Sequence, residues 1–291
     1  MSIITLFSAF MGLYVIVRII LPSGMNWPLK LILSLFALAC AEKLLLTKLV
    51  YGTMGAFMPE PVQLASGYLH SAVTILFLLL VARDALLLLT WPFRRSTGRQ
   101  RKIFYGHKEK KPASGFWAFT LVLLALALSG YGMREALRVP PVREVRMQVP
   151  GLPDALNGFR IAQLSDLHIG PTFGKAWLTD VVARTDSLNP DLIVITGDVV
   201  DGSPSRLEED VAPLADLKAK YGVIFAPGNH EYYSGIQQWL PVFQRLGMHV
   251  LMNENTQIRV NGTPLAIAGV TDTAALNWGL EGPDPEKALS G

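Results

Sequence analysis

Four predominantly apolar runs fill the first part of this chain, near Ser2–Leu21, Pro28–Val50, Ser66–Trp91 and Gly115–Met133. Each is about as long as the roughly 20 residues that carry a helix across a bilayer. Lipid supplies no hydrogen-bond partners for backbone groups, so helical spans are the fold such runs allow. The first run has no basic stretch before it and no small-residue cleavage site after it, which predicts a retained span rather than a signal peptide. A four-span α-helical membrane bundle over residues 1–137 is therefore expected.

Orientation follows from loop charge. Arg94, Arg95, Arg99, Arg101, Lys102, Lys108, Lys110 and Lys111 separate the third and fourth runs, whereas Tyr51–Ala65 holds neither Lys nor Arg. The positive-inside rule puts the basic segment in the cytoplasm. Arg18 and Lys30 flank the first loop and agree, while Arg134, Arg138, Arg143 and Arg146 pull the other way. The chain beyond the fourth span is thus expected on the extracytoplasmic face of a plasma or inner membrane. The charged pairs Glu42-Lys43 and Arg83-Asp84 lie inside runs. A transport relay would need them at matching depth; snorkelling and local pairing within the bundle is the expected role. His70 is read as interfacial and His107 as solvated.

The 51% hydrophobic content comes mostly from these runs, and a net charge of +3 is spread too unevenly to indicate a partner. Nothing resembles a nucleic-acid surface. Cys40 is the single cysteine, which excludes an intrachain disulfide and a thiolate metal site.

Residues 138–153 hold four prolines and read as a stiff connector, with a first strand at Val145–Val149. Residues 154–291 alternate between strands and helices. Strands are expected at Phe159–Leu164, Leu192–Thr196 and Gly222–Ala226, with helices at Lys175–Leu188, Arg206–Lys218 and Gln237–Leu246. That order predicts a mainly parallel sheet with right-handed crossovers. From His249 a second, antiparallel sheet is expected: strands His249–Met252, Thr256–Val260 and Pro264–Val270, the last two joined by an Asn261-Gly262 turn. Thr271–Gly291 reads as a loop.

Three short motifs follow three of the buried strands. Asp166-Leu167-His168 comes first, Gly197-Asp198 second and Gly228-Asn229-His230-Glu231 third. All fall at the edge where open α/β sheets place ligands. Asp166 and His168 can turn toward one cation, Asp198 can offer one oxygen to each of two, and Asn229 can give an amide oxygen to the second. Oxygen and nitrogen donors without sulfur suit Mn, Fe or Zn. His230 is expected to face substrate as the catalytic acid or phosphoryl stabiliser. Asp201 is expected to buttress its loop or cap the next helix, Glu231 to support the ligands from behind, and His249 to be an ordinary partly buried residue.

The segments Leu164–Gly170, Val194–Asp201 and Pro227–Tyr233 resemble the calcineurin-like metallophosphoesterases, and the four spans resemble their membrane-anchored branch. The resemblance covers about Val145–Asp272. It implies a two-sheet αββα sandwich, two divalent metal ions held by Asp166, His168, Asp198 and Asn229, and His230 as the catalytic histidine. The implied activity is hydrolysis of a phosphoester or pyrophosphate by a metal-bound hydroxide, with lipid-linked compounds among the candidate substrates. Such enzymes carry a later lone His and a Gly-His-x-His block, and after His230 this sequence has only His249. A C-terminally incomplete domain, the first part of a longer enzyme, is the expectation. The alternative is a truncated, non-catalytic membrane scaffold or sensor with a vestigial metal site.

Overall fold

The computed structural model describes residues 3–51, 58–104 and 114–290, and the chain divides into two compact units, Met1–Arg138 and Val139–Gly291. His107, Lys108, Lys110, Lys111 and part of the uncharged loop at 52–57 fall outside the described residues.

The first unit is helical. Helix α1 (Ile3–Val15) runs on through a π turn at Ile16–Ile20, followed by α2 (Trp27–Ala41), α3 (Lys43–Tyr51), α4 (Glu60–Phe104) and α5 (Ser114–Ala136). Among the described residues, three helical stretches are long and apolar enough to cross a membrane: Ile3–Ile20, Glu60–Trp91 and Gly115–Ala136. The expected second span is instead two shorter helices. Glu42 leaves α-helical geometry (φ −85°, ψ 25°) between α2 and α3, although its N–H still bonds Leu38 O at 2.8 Å. A carboxylate beside an ammonium is the feature an apolar helix tolerates least, and the break falls there. The basic stretch expected as a loop continues α4 as helix to Phe104.

Met11, Val15, Leu76, Phe77, Leu80 and Ala125 form one core of this unit, joining α1, α4 and α5. Leu88, Leu89 and Phe116 point outward, at 74%, 74% and 75% exposure, leaving an apolar exterior of the kind that lipid covers. Local pairing holds for the Arg83-Asp84 pair of α4. Asp84 accepts from Arg83 at 2.9 Å, from Arg18 of the π turn and from the Tyr14 hydroxyl at 2.6 Å. The Arg83 guanidinium lies 3.8 Å from the Trp117 ring centroid. His70 Nδ1 is 3.1 Å from Cys40 O.

The second unit begins with an irregular stretch. Val145–Val149, expected as a strand, pairs with nothing among the described residues, and Val145 and Met147 are exposed. Prolines on both sides leave that alternation unused. Four strands then form a parallel sheet in chain order: β1 (Ile161–Leu164), β2 (Leu192–Ile195), β3 (Val223–Phe225) and β4 (Met248–Val250). The connections are α6 (Lys175–Ser187), then α7 (Pro204–Val211) with a 3-10 turn at Ala212–Asp216, and then α8 (Asn229–Ser234) with α9 (Ile236–Arg245). The single helix expected over Arg206–Lys218 is thus two pieces, because Pro213 has no N–H to continue the ladder.

The β-branched β2 is covered on both faces, as its composition requires. Helix α9 buries Trp239 and Phe243 completely against the fully buried Phe225 of β3, and Trp239 Nε1 donates to Gly202 O at 2.8 Å. The second sheet is the antiparallel pair β5 (Glu254–Val260) and β6 (Thr263–Gly269). Asn261 and Gly262 both have positive φ, 48° and 88°, the geometry of a tight primed turn. The expected antiparallel strand at His249–Met252 belongs instead to the parallel sheet as β4, in register Val223↔Met248, and His249 is exposed rather than partly buried. Three residues are too few to display an alternation, so the change of sheet comes one strand later than the sequence pattern suggests. The expected terminal loop holds a 3-10 helix, Thr273–Trp278, and α10 (Pro285–Leu289).

Candidate metal centre

The loops after β1 and β2 are stitched edge to edge. Asp166 N–H donates to Gly197 O (3.2 Å), His168 to Asp198 O (2.9 Å), Ile169 to Val199 O (2.8 Å) and Asp201 to Ile169 O (2.9 Å). Asp166, His168 and Asp198 each hold a left-handed backbone, φ 57°, 45° and 53°. Non-glycine residues accept that geometry at some cost, and the cross-loop bonds hold it in place. The third loop crosses close behind. A Cβ on Gly197 would come 2.1 Å from Gly228 N, and one on Gly228 would come 2.3 Å from Asp198 Oδ1. Both glycines are required by this crossing.

Glu231 locks the second and third loops together. It is wholly buried and sits at the third position of α8, after Gly228. Its carboxylate accepts from Gly228 N and Asp198 N at 2.8 Å each, Val199 N at 2.7 Å and Val200 N at 3.3 Å. Burial pushes its carboxyl above the ordinary 4.5, although these N–H groups oppose the shift. Glu231 therefore supports the centre from behind, as its place next to His230 suggests.

In front of this lattice stand two imidazoles and a carboxylate. His168, Asp198 and His230 can each offer a ligand atom, all within 4.8 Å of one another. The rings of His168 and His230 meet edge to face, 4.4 Å between centroids. Asp201, expected as a cap or buttress, takes a different place: its Oδ1 lies 3.1 Å from His168 Nδ1 and 2.6 Å from His230 Nδ1. Ser203 occupies the N-cap position of α7 instead. Satisfying both contacts puts a proton on each Nδ1 and leaves each Nε2 free as a lone pair. Backbone N–H of His230 donates to Asp198 Oδ1 at 2.9 Å, which fixes the carboxylate close to the rings.

These donors fit a divalent cation. They are nitrogen and oxygen, they converge, and the second nitrogen of each ring is already occupied by Asp201. Asp166 lies at the rim with its side chain 66% exposed, and its Oδ1 is 3.9 Å from His168 Nε2. Asn229 opens α8 and is half-buried. It lines a cleft of about 270 Å³ with Tyr233, Asp272, Thr273, Ala274 and Asn277. Of these, Asp272 and Asn277 are not singled out by any sequence motif. A signal is present even so, since Asp272 follows an apolar strand as Asp166 and Asp198 do.

Burial pulls the His168 pKa down, but the bond to Asp201 and the charges of Asp201, Asp198 and Asp166 outweigh it and raise the pKa above 6.5. The stabilisation from a protonated His168 is therefore complete below about pH 6.5 and is lost as pH rises through the higher folded value. After chelation of metal, the unfolding midpoint is expected to fall as pH is raised across that interval. Asp201→Asn removes the largest favourable contribution, so His168 should titrate lower and the slope should flatten. Histidine NMR titrations that are identical in the two proteins would overturn this assignment.

The family described as calcineurin-like phosphoesterase matches residues 159–280. A zebrafish (Danio rerio) protein named "Transmembrane protein with metallophosphoesterase domain" is 37% identical over 63% of this chain and 44% of its own length. A cattle (Bos taurus) protein of the same name is 37% identical over 58% of this chain and 40% of its own. An uncharacterized metallophosphoesterase of Campylobacter jejuni is 32% identical over 57% and 42%. The chain thus spans less than half the length of these relatives. No solved structure matches the chain.

Proposed function

The chain carries a calcineurin-like metallophosphoesterase domain, and from that premise we propose that it is a membrane-anchored phosphohydrolase acting on a phosphoester or pyrophosphate of a lipid-linked compound. The observation that supports this most is the convergence of His168, Asp198 and His230. In this reading Asp166, His168, Asp198 and Asn229 hold two divalent cations, of Mn, Fe or Zn. When bound, the cations supply Lewis acidity toward the phosphoryl oxygens and toward water. Asp201 holds the imidazoles by Nδ1, so His230 presents Nε2 toward the phosphoryl group and, once protonated, can give its proton to the leaving oxygen. Glu231 keeps the backbone of Asp198–Val200 fixed while charge develops in front of it. Residues 154–291 make up the catalytic region, 138–153 the connector and 1–137 the membrane region, read as crossing four times with the α2–α3 pair as one broken span. That count leaves the catalytic region on the extracytoplasmic face and brings it to substrates of that leaflet.

The full-length protein in detergent should hydrolyse bis(p-nitrophenyl) phosphate, lose the activity after EDTA and regain it with Mn²⁺, Fe²⁺ or Zn²⁺. Activity indifferent to EDTA, or absent with every metal, would refute the proposal.

A further inference from the structure

The 270 Å³ cleft beside Asn229 has a composition that says what it takes up. Its lining offers a carboxylate (Asp272), two amides (Asn229, Asn277), a phenol (Tyr233) and a hydroxyl (Thr273), with Ala274 the single apolar member. No Lys or Arg contributes. A second phosphate or carboxylate would meet a like charge there without compensation, and an alkyl chain would strip water from polar groups without satisfying them. A neutral polyol or an ammonium group meets acceptors on several sides.

The cleft wall is also pre-formed. Asp272 accepts from Ala274 N at 2.7 Å through Oδ1, and its Oδ2 has no bond among the described residues. Ala274 and Ala275 pack into a buried cluster with Tyr232 and Ile236, which ties the 3-10 helix to α8 and α9. Behind it the buried Asn253 knots the loop. Its Oδ1 accepts from Thr271 N at 3.2 Å and Asp284 N at 3.0 Å, and its Nδ2 donates to Gly282 O at 2.9 Å. Tyr233 joins the cleft to the centre, its ring 5.5 Å from that of His230.

We infer that this cleft is the subsite for the alcohol portion of a phosphodiester substrate, selecting alcohols that donate hydrogen bonds (polyols or amino alcohols), with Asp272 as the specificity-determining acceptor. The inference rests on the phosphohydrolase reading above. It adds the chemistry next to the phosphorus, which neither the family nor the membrane region specifies.

Three p-nitrophenyl phosphodiesters of similar size test it with the metal-loaded full-length protein: the propyl, 2,3-dihydroxypropyl and 2-aminoethyl esters. The donor-bearing pair should exceed the propyl ester about tenfold in kcat/KM, chiefly through KM, and the better of the two tells polyol from amine. Asp272→Asn keeps an oxygen for the Ala274 N–H and removes the charge. It should bring the three esters within about threefold, by lowering the donor-bearing pair more than the propyl ester. Equal rates on all three esters in the native protein, or an equal loss on all three in the variant, overturns the inference. If no ester is hydrolysed, the phosphohydrolase reading fails by itself, and calorimetry judges the cleft. Glycerol 3-phosphate binding more tightly than propyl phosphate, with the difference lost in Asp272→Asn, supports the subsite; equal binding refutes it.

Discussion

Replacing Glu231 with alanine is expected to destabilise the second unit by roughly 4 kcal/mol or more, enough to leave little folded protein. The carboxylate is 0% exposed and receives four backbone N–H groups from the second and third motif loops. Each buried donor left without an acceptor costs about 1–3 kcal/mol, and breaking a buried charged interaction on one side costs about 3–5 kcal/mol. Two effects oppose this. Removal of a buried carboxylate relieves its desolvation, which here holds the carboxyl above 4.5, and water entering the space satisfies part of the loss. Glu231→Gln separates these effects, since it keeps one acceptor oxygen but turns an NH₂ toward donors, and it should fall between alanine and the native protein. Urea unfolding followed by tryptophan fluorescence, with Trp239 in the core of the second unit, reads both. A stability within about 1 kcal/mol of native for the alanine variant would mean the loops are held by something else.

Asp198→Asn should give the opposite pattern, with activity lost and fold kept. Its Oδ1 accepts the His230 N–H, and an asparagine oxygen can do the same, so the geometry survives. In the proposed two-cation reading, what disappears is the negative charge that the cations would share, and hydrolysis is expected to fall on the order of 10³-fold or more. At a pH above the His168 titration, the stability of the chelated protein should hold or rise, because Asp198 is among the charges that raise the Glu231 pKa, and removing it eases the burial of that carboxylate. A residue whose replacement stabilises a protein while silencing it is kept for function rather than folding. Undiminished hydrolysis by Asp198→Asn would end the metallohydrolase reading, whatever the fold does.

Much of the centre is legible in the sequence because its chemistry is local. Each motif directly follows a strand, and Gly197 and Gly228 mark where two backbones must touch. Asp201 is harder. Its spacing from Asp198 fits a helix cap as well as it fits an imidazole partner, and only the stitching of Ile169 to Val199 carries it to both histidines. The four parallel strands are readable as apolar runs, but three residues of β4 carry no sign of which sheet they join. The distant contacts are invisible for another reason. Nothing local to Asn253 tells that it will tie Thr271, Gly282 and Asp284 together, nor that Asn277 will share a cleft with Asn229. In the membrane unit the apolar runs reveal helices by composition, whereas the break at Glu42 depends on where one charged pair falls.

The strands of the parallel sheet stand side by side in the order in which they are made. During synthesis only β1 of this sheet has to wait for a later strand, since each of β2, β3 and β4 finds a neighbour already made. The proposed ligand set would nevertheless stay open for as long as translation takes to travel from Asp166 to His230, several seconds at roughly 5–20 residues per second. Over that interval Asp166, His168 and Asp198 exist without Asn229, His230 or the lock that Glu231 provides. A cation captured early would meet a partial, unfastened set and could leave again, so lasting metallation belongs to the end of assembly, after the third loop has closed.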